Sequence, residues 1–290
     1  MIRYFELDKE MEILPVNRNV LRTAFAAAVL AGLLVPCRIQ TQEPGIRAQE
    51  PANKPETVAP APAQATPAAA PLTEAQREKA REDRLKNDWA AWTRYQKADL
   101  ALGAPAEGEK RVVFMGDSIT DGWHLDKSFP GKPYVNRGIS GQTSPQMVLR
   151  FRQDVIDLKP KVVVILAGTN DIAGNTGPMT LEESEGYLMS MAEMATANHI
   201  RVVLCSVLPA FDFSWTPGKV PAQKIVELNK WIKAYAAEKH YVYVDYHTAM
   251  KDERDGLPEN LSKDGVHPNA AGYAIMAPLA EAGIKKALKW

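Results

Sequence analysis

Cysteine is almost missing from this chain: Cys37 and Cys205 are the two in 290 residues. Cys37 falls in an N-terminal apolar segment, which leaves Cys205 alone in the part expected to fold. An internal disulfide and a cysteine-built zinc site are therefore both excluded there. Cys205 stands in an apolar strand-like run, where a buried inert thiol is expected rather than a nucleophile. Net charge is missing too, since 35 Lys and Arg balance 35 Asp and Glu. No basic stripe stands out, which argues against nucleic acid as a partner. There is no long hydrophobic run: the apolar stretch Thr23–Pro36 is shorter than the ~20 residues that span a bilayer. A phosphate-cradling loop is also lacking. Gly116-Asp-Ser-Ile-Thr-Asp-Gly122 carries neither the dinucleotide fingerprint nor the P-loop lysine, which argues against a nucleotide-binding module.

Arg18 and Arg22 precede the apolar stretch, and together they fit a secretory signal. Glu6, Asp8 and Glu10 are unusual ahead of such a signal, and Met11 is an alternative start. Leu34-Val-Pro-Cys37 partly matches a lipoprotein cleavage box. Pro36 stands where that box needs a small residue, which favours soluble export over a membrane tether. Residues 41–72 are rich in Pro, Ala, Gln and Glu. Such a composition cannot bury a core and reads as a linker. The expected organisation is a targeting segment over 1–40, a linker over 41–72, and one domain over 73–290 that opens with a helical arm, 73–102. In the arm, Trp89, Trp92, Tyr95 and Leu100 stand near three- and four-residue spacings, predicting an apolar stripe that docks on the domain.

From residue 111 strand-like and helix-like segments alternate. The strands are expected at Arg111–Met115, Tyr134–Asn136, Lys161–Ala167, Arg201–Val207 and Tyr241–Asp245. One intervening helix is expected to be capped by Ser144 with Pro145 at its first position, placing Val148, Phe151, Val155 and Leu158 on one face. Another opens with the capping box Thr180-Leu-Glu-Glu183 and closes near Asn198. A third starts at Pro221 with Ile225, Leu228, Ile232 and Tyr235 inward, and the last runs from about Asn269 to Lys289 around Pro278. Strands apolar throughout, such as Val162–Ala167, are covered on both faces, as in parallel sheets. Alternating strands and helices then imply a three-layer α/β/α sandwich with right-handed crossovers.

Three strand ends carry small or polar groups. Ser118 follows the first strand, at the edge where open α/β sheets bind ligands. Threonine at 120 replaces the second glycine of a nucleophile elbow, so this is not that motif. Gly141 follows the second strand, either as a plain turn or as a place where backbone N–H can approach a ligand. Asn170, in Gly168-Thr-Asn-Asp171, follows the third, either as an Asx turn or as an amide donor to an oxyanion. Further on, Asp264-Gly-Val-His267 offers a base and the carboxylate that would orient it. His247, two residues from Asp245, is the rival base.

Gly116-Asp117-Ser118, Gly141, Gly168-Thr169-Asn170-Asp171 and Asp264-x-x-His267 resemble, in order, the four blocks of the SGNH (GDSL) hydrolase superfamily. The match covers roughly 111–285 and looks most like bacterial esterases related to the platelet-activating-factor acetylhydrolase catalytic subunits. Ile119-Thr120 departs from the usual leucine after the serine. The resemblance implies a flavodoxin-like sheet of five parallel strands and a carboxylic-ester hydrolase that needs no metal or cofactor. It implies Ser118 as nucleophile, His267 as base then acid, and Asp264 as orienter. The oxyanion hole would be formed by the backbone N–H groups of Ser118 and Gly141 and the side chain of Asn170.

Trp123 would either wall the acyl pocket or be core. Phe211, Phe213 and Trp215 sit on a loop that could border the cleft or form a cluster beneath it. No long apolar lid is visible, which favours short acyl groups. The expected substrate is a small-molecule or carbohydrate ester. A lysophospholipase or thioesterase on the same triad is the enzymatic alternative, and a non-catalytic carbohydrate- or envelope-binding domain is the other.

Overall fold

A computed structural model describes residues 73–289. The expected targeting segment, its cleavage box, Met11 and the linker lie outside the described residues. The arm comprises α1 (Glu74–Asn87) and α2 (Gln96–Leu102). The sheet begins with β1 (Val112–Gly116), followed by the short helices α3 (Ser118–Asp121) and α4 (Leu125–Ser128), then β2 (Tyr134–Gly138) and α5 (Ser144–Phe151). Next come β3 (Val162–Leu166), α6 (Thr169–Ala173), α7 (Leu181–Ala197), β4 (Arg201–Cys205) and α8 (Ala222–Glu238). The chain closes with β5 (Val242–Val244), α9 (Tyr246–Met250) and α10 (Ala270–Leu288).

The five strands are all parallel, in the order β2-β1-β3-β4-β5. The expected sandwich is the one observed. Along β1, Val113 and Met115 face a core shared with α5, α7 and α8, while Val112 and Phe114 face a second core under α10. A strand's side chains alternate between faces, so an unbroken apolar strand feeds both layers. The winding order reverses at β1, which has β2 on one side and β3 on the other. Gly116 pairs with Gly138 and with Leu166, so the three strands end level with one another. A crevice at the carboxyl edge follows from that reversal.

Several boundaries differ from the sequence reading. Thr143, not Ser144, caps α5: it forms a capping box with Gln146, and the Ser144 N–H donates instead to Asp171 at 2.7 Å. Beyond Phe151 the helix widens into a π-turn, Arg152–Ile156, rather than continuing as α-helix to Leu158. β4 runs only to Cys205: the Ser206 N–H still donates to the Val244 carbonyl at 2.9 Å, but the Val207 N–H turns to Asn229 Oδ1 at 2.7 Å. Thr180, Pro221 and Asn269 begin their helices as expected.

The arm departs furthest. Ala91 adopts φ 54°, which breaks any single helix between α1 and α2. Leu100 is 84% exposed, and Trp89 and Trp92 are also exposed, so no apolar stripe docks. Amide donors fasten the arm instead. Gln146, Gln142 and Gln153 donate to the carbonyls of Trp89, Ala90 and Trp92 at 2.6, 2.7 and 2.7 Å. Tyr95 donates its hydroxyl to the Gly138 carbonyl, and Arg137 pairs with Asp99.

Candidate active site

The nucleophile's position follows from Gly116 and Asp117. A Cβ on Gly116 would lie 2.8 Å from the Leu166 carbonyl oxygen, so glycine is what lets β1 and β3 close at this level. Asp117 then caps α3, its Oδ1 accepting the Ile119 N–H at 2.9 Å. Ser118 becomes the first residue of α3, where backbone N–H groups have no intrahelical partner. Its side chain stands half-buried at the strand edge.

His267 arrives from the loop before α10. Gly265, at φ +75°, supplies a left-handed turn, and Asn269 caps α10 through the N–H groups of Ala271 and Gly272. Within that turn Asp264 Oδ1 accepts from Ser262 Oγ at 3.0 Å, Val266 N at 3.0 Å and His267 N at 2.8 Å. Its Oδ2 lies 2.6 Å from His267 Nδ1. The far nitrogen, Nε2, lies 2.8 Å from Ser118 Oγ. Burial alone would raise the Asp264 pKa. The His267 imidazole and the converging N–H and O–H donors outweigh it and hold the carboxyl well below the usual carboxylate range.

Asn170 lies in α6, directly after β3, and is buried. Its Nδ2 donates to the Gln142 carbonyl at 3.0 Å and contacts Asp117 Oδ2 at 3.3 Å. Its Oδ1 accepts from Asn175 Nδ2 at 2.8 Å. Gly141, at φ +78°, turns the chain beside it. Burial pushes the Asp117 carboxyl up to about 7, despite the Ile119 N–H and the nearby His267. Beneath this edge the fully buried Arg150 donates to Gln142 Oε1 at 2.6 Å, Asp154 Oδ2 at 2.8 Å and the Gly116 carbonyl at 3.1 Å.

Ser118, Gly141, Asn170 and His267 all line one cavity of about 620 Å³. Asp264 sits directly behind His267. The rival base, His247, is buried in α9 and does not line this cavity. Its companion Asp245 is engaged elsewhere, accepting from the N–H and hydroxyl of Thr248. Of the four aromatics considered as walls, Trp215 alone lines the cavity, its ring 6.1 Å from that of His267. Trp123 is core, enclosed by Phe114, Phe129, Tyr246 and Tyr273. Phe213 is fully buried beneath Trp215, and Phe211 turns outward under Arg254.

Sequence reasoning missed Asp121, Ser140, Asn175 and Tyr273, which complete the walls. Asp121 is one helical turn after Ser118, Ser140 precedes Gly141, and Asn175 follows Asn170 by five positions. Adjacency to the motif blocks was the available signal for these three. Tyr273 carried none; it stacks on Trp123 and donates to the Ile119 carbonyl at 2.8 Å. Among the described residues, no group of three or more His, Cys, Asp or Glu side chains could hold a metal ion.

A serine, an imidazole and a carboxylate aligned at the carboxyl edge of a five-stranded parallel sheet define the carboxylic-ester hydrolases of GDSL type. The chain belongs to the GDSL-like lipase/acylhydrolase family, whose model matches residues 114–275. Among solved structures, a GDSL-like lipase from Bacteroides thetaiotaomicron is similar at 48% identity and a TM-score of 0.67, over 69% of this chain and 100% of that one. An acetylxylan esterase of Xylanibacter ruminicola is 28% identical over 70% of this chain, which spans about half (48%) of that relative's length. An acetylxylan esterase of Geobacillus stearothermophilus is 26% identical over 59% of this chain and 91% of its own.

Proposed function

We propose that this protein hydrolyses short-chain carboxylic esters by two-step acyl transfer on Ser118. The observation that carries the reading is the continuous contact from Ser118 Oγ to His267 Nε2 at 2.8 Å and from Nδ1 to Asp264 Oδ2 at 2.6 Å. Ser118 Oγ attacks the ester carbonyl while its proton passes to Nε2. Asp264 holds the Nδ1–H tautomer and stabilises the imidazolium that forms. The imidazolium then protonates the leaving alcohol, which departs and leaves an acyl-serine. Water, deprotonated by His267, attacks the acyl carbon, and the proton returns to Ser118 as the acid leaves.

The tetrahedral oxyanion of each step is assigned to the Ser118 and Gly141 backbone N–H groups and to Asn170 Nδ2. Preorganised donors of this kind act on charge that develops only in the transition state, where each is worth ~3 kcal/mol. The open cavity, with Asp121, Ser140, Asn170 and Asn175 among its walls, suits a hydroxyl-bearing alcohol moiety, with Trp215 as a face on which a sugar ring could lie. Two relatives that bear the name acetylxylan esterase favour an acetylated carbohydrate. The test is hydrolysis of p-nitrophenyl esters from acetyl to long acyl, run beside an acetylated xylo-oligosaccharide. Turnover that is highest for acetyl and releases acetate from the oligosaccharide supports the reading. Preference for long acyl chains or acyl thioesters would replace it with the lysophospholipase or thioesterase alternative.

The chain's Thr23–Pro36 stretch further leads us to propose export, with soluble release favoured over a tether at Cys37. Cell fractionation with N-terminal peptide mass spectrometry tests this, and a cytoplasmic, unprocessed chain would refute it.

A further inference from the structure

Every member of the proposed oxyanion hole must present a donor, and an asparagine side chain satisfies that in only one of its two orientations. Rotated by half a turn, the Asn170 amide would offer its carbonyl oxygen to the developing negative charge. We propose that Asn175 is a positioning residue that fixes the orientation of the Asn170 amide, keeping Nδ2 rather than Oδ1 on the side of Gln142 and Asp117, and ties it to the cavity wall at Trp215. The inference rests on the esterase reading and adds to it a residue that no family block contains.

The polarity of the relay can be read from its two ends. An indole N–H can only donate, and a backbone carbonyl can only accept. Trp215 Nε1 lies 3.0 Å from Asn175, so the atom that Asn175 turns toward it must be Oδ1. The other half of that amide, Nδ2, then faces Asn170 at 2.8 Å, and the atom that it meets must be Asn170 Oδ1. At the other end the Gln142 carbonyl lies 3.0 Å from Asn170 and requires a donor there, which again places Nδ2 on that side. Both ends demand the same orientation of both amides. A flipped Asn170 would set oxygen against the buried Gln142 carbonyl and two NH₂ groups against each other, so each orientation error opposes like polar atoms.

Three further contacts make the relay rigid. Asn175 Nδ2 also reaches the Gly141 carbonyl at 3.2 Å, which links the relay to a second member of the proposed hole. The Asn175 N–H donates to the Asn170 carbonyl at 3.1 Å, closing the short helix that carries Asn170. Trp215 is stacked on the fully buried Phe213, ring centroids 5.0 Å apart and planes 22° apart, so the indole that starts the relay is itself held. The same indole faces His267. Wall, amide donor and base are therefore one mechanically connected unit rather than three independent residues.

The experiment uses the full-length chain, with kcat and KM measured on p-nitrophenyl acetate, a substrate whose acyl group is too small to depend on the wall for binding. Asn175→Ala and Trp215→Phe each remove one link without adding charge; phenylalanine keeps the stack on Phe213. Each should lower kcat, roughly ten- to hundredfold for the alanine variant and several-fold for phenylalanine, with KM changed by no more than about twofold. The double variant should lose little beyond Asn175→Ala alone, because both cut the same relay. Asn175→Asp supplies a second readout: its carboxylate can accept from Trp215 but cannot donate to Asn170. Its kcat relative to the native chain should be low at pH 8 and rise as the pH falls and the introduced carboxyl becomes a donor.

A native chain that cleaves the ester through Ser118, beside Asn175 variants with unchanged kcat, would overturn the relay alone. The same holds if the losses appear in KM only, if the two neutral substitutions multiply independently, or if the Asn175→Asp ratio is flat with pH. A native chain with no Ser118-dependent hydrolysis would overturn the esterase reading, and the relay with it.

Discussion

Asp264 holds His267 by two separate grips: Oδ2 lies 2.6 Å from the imidazole Nδ1, and Oδ1 accepts the His267 backbone N–H at 2.8 Å. The residue that orients the ring therefore also shapes the loop that delivers it. Asp264→Asn keeps an oxygen for the backbone N–H groups but turns an NH₂ toward Nδ1, which favours the tautomer that cannot take the serine proton. The expected result is a loss in kcat on the order of a thousandfold or more, with the fold retained. Steady-state kinetics beside circular dichroism checks it; a loss under tenfold would remove Asp264 from the mechanism.

In the proposed mechanism Asn170 Nδ2 would donate to an oxyanion that exists only in the transition state. Asn170→Ala should therefore lower kcat on the order of a hundredfold with KM little changed. Substrate-saturation curves decide the matter. Full activity would make Asn170 a structural residue of α6 and nothing more.

Arg150 supports the same edge from below, fully buried, with three acceptors. Arg150→Met leaves Asp154 as an uncompensated buried carboxylate and should cost ~3–5 kcal/mol of stability. Replacing both partners, Arg150→Met with Asp154→Leu, should restore much of that, because the desolvated charge is gone. Denaturant titration of the native chain and the two variants measures both quantities. Equal stability of the single and double variants would contradict the account.

Asp117 gives stability a pH dependence of definite sign. Burial lifts its carboxyl from 3.8 to about 7, so between those values the folded state binds the proton that the unfolded state has released. Stability from this group is then lost as the pH rises through the window. Asp264, held below its ordinary value, acts with the opposite sign, and only at acid pH beneath that window. Asp117→Asn should accordingly gain stability relative to the native chain between pH 4 and pH 8. Thermal denaturation across that range tests this, and a constant difference between the two would show that Asp117 is ionised throughout.

Much of this architecture was legible because apolar runs such as Val162–Leu166 need cover on both faces, and because Thr180 and Asn269 announce helices through local hydrogen bonds. The site blocks were legible for a related reason: each is a short segment at a strand end, and the fold brings strand ends together. The arm's helices were legible, but its attachment was not. Its attachment through Gln142, Gln146 and Gln153 to backbone carbonyls leaves no periodic trace, and the exposed Trp89 and Trp92 imitate an apolar stripe. The walls stayed undecided for the same cause. Trp123 and Trp215 have equal standing in a linear sequence, and only the long-range packing of Tyr246 and Tyr273 on Trp123 makes one core while the other faces the cavity.

The most direct measurement exposes the full-length chain to a fluorophosphonate probe and maps the labelled residue by peptide mass spectrometry, with ester hydrolysis followed on the same sample. The account predicts one adduct, on Ser118, formed in step with loss of activity, and neither labelling nor hydrolysis in Ser118→Ala. Hydrolysis that survives in Ser118→Ala, or a label carried by another residue, would contradict it.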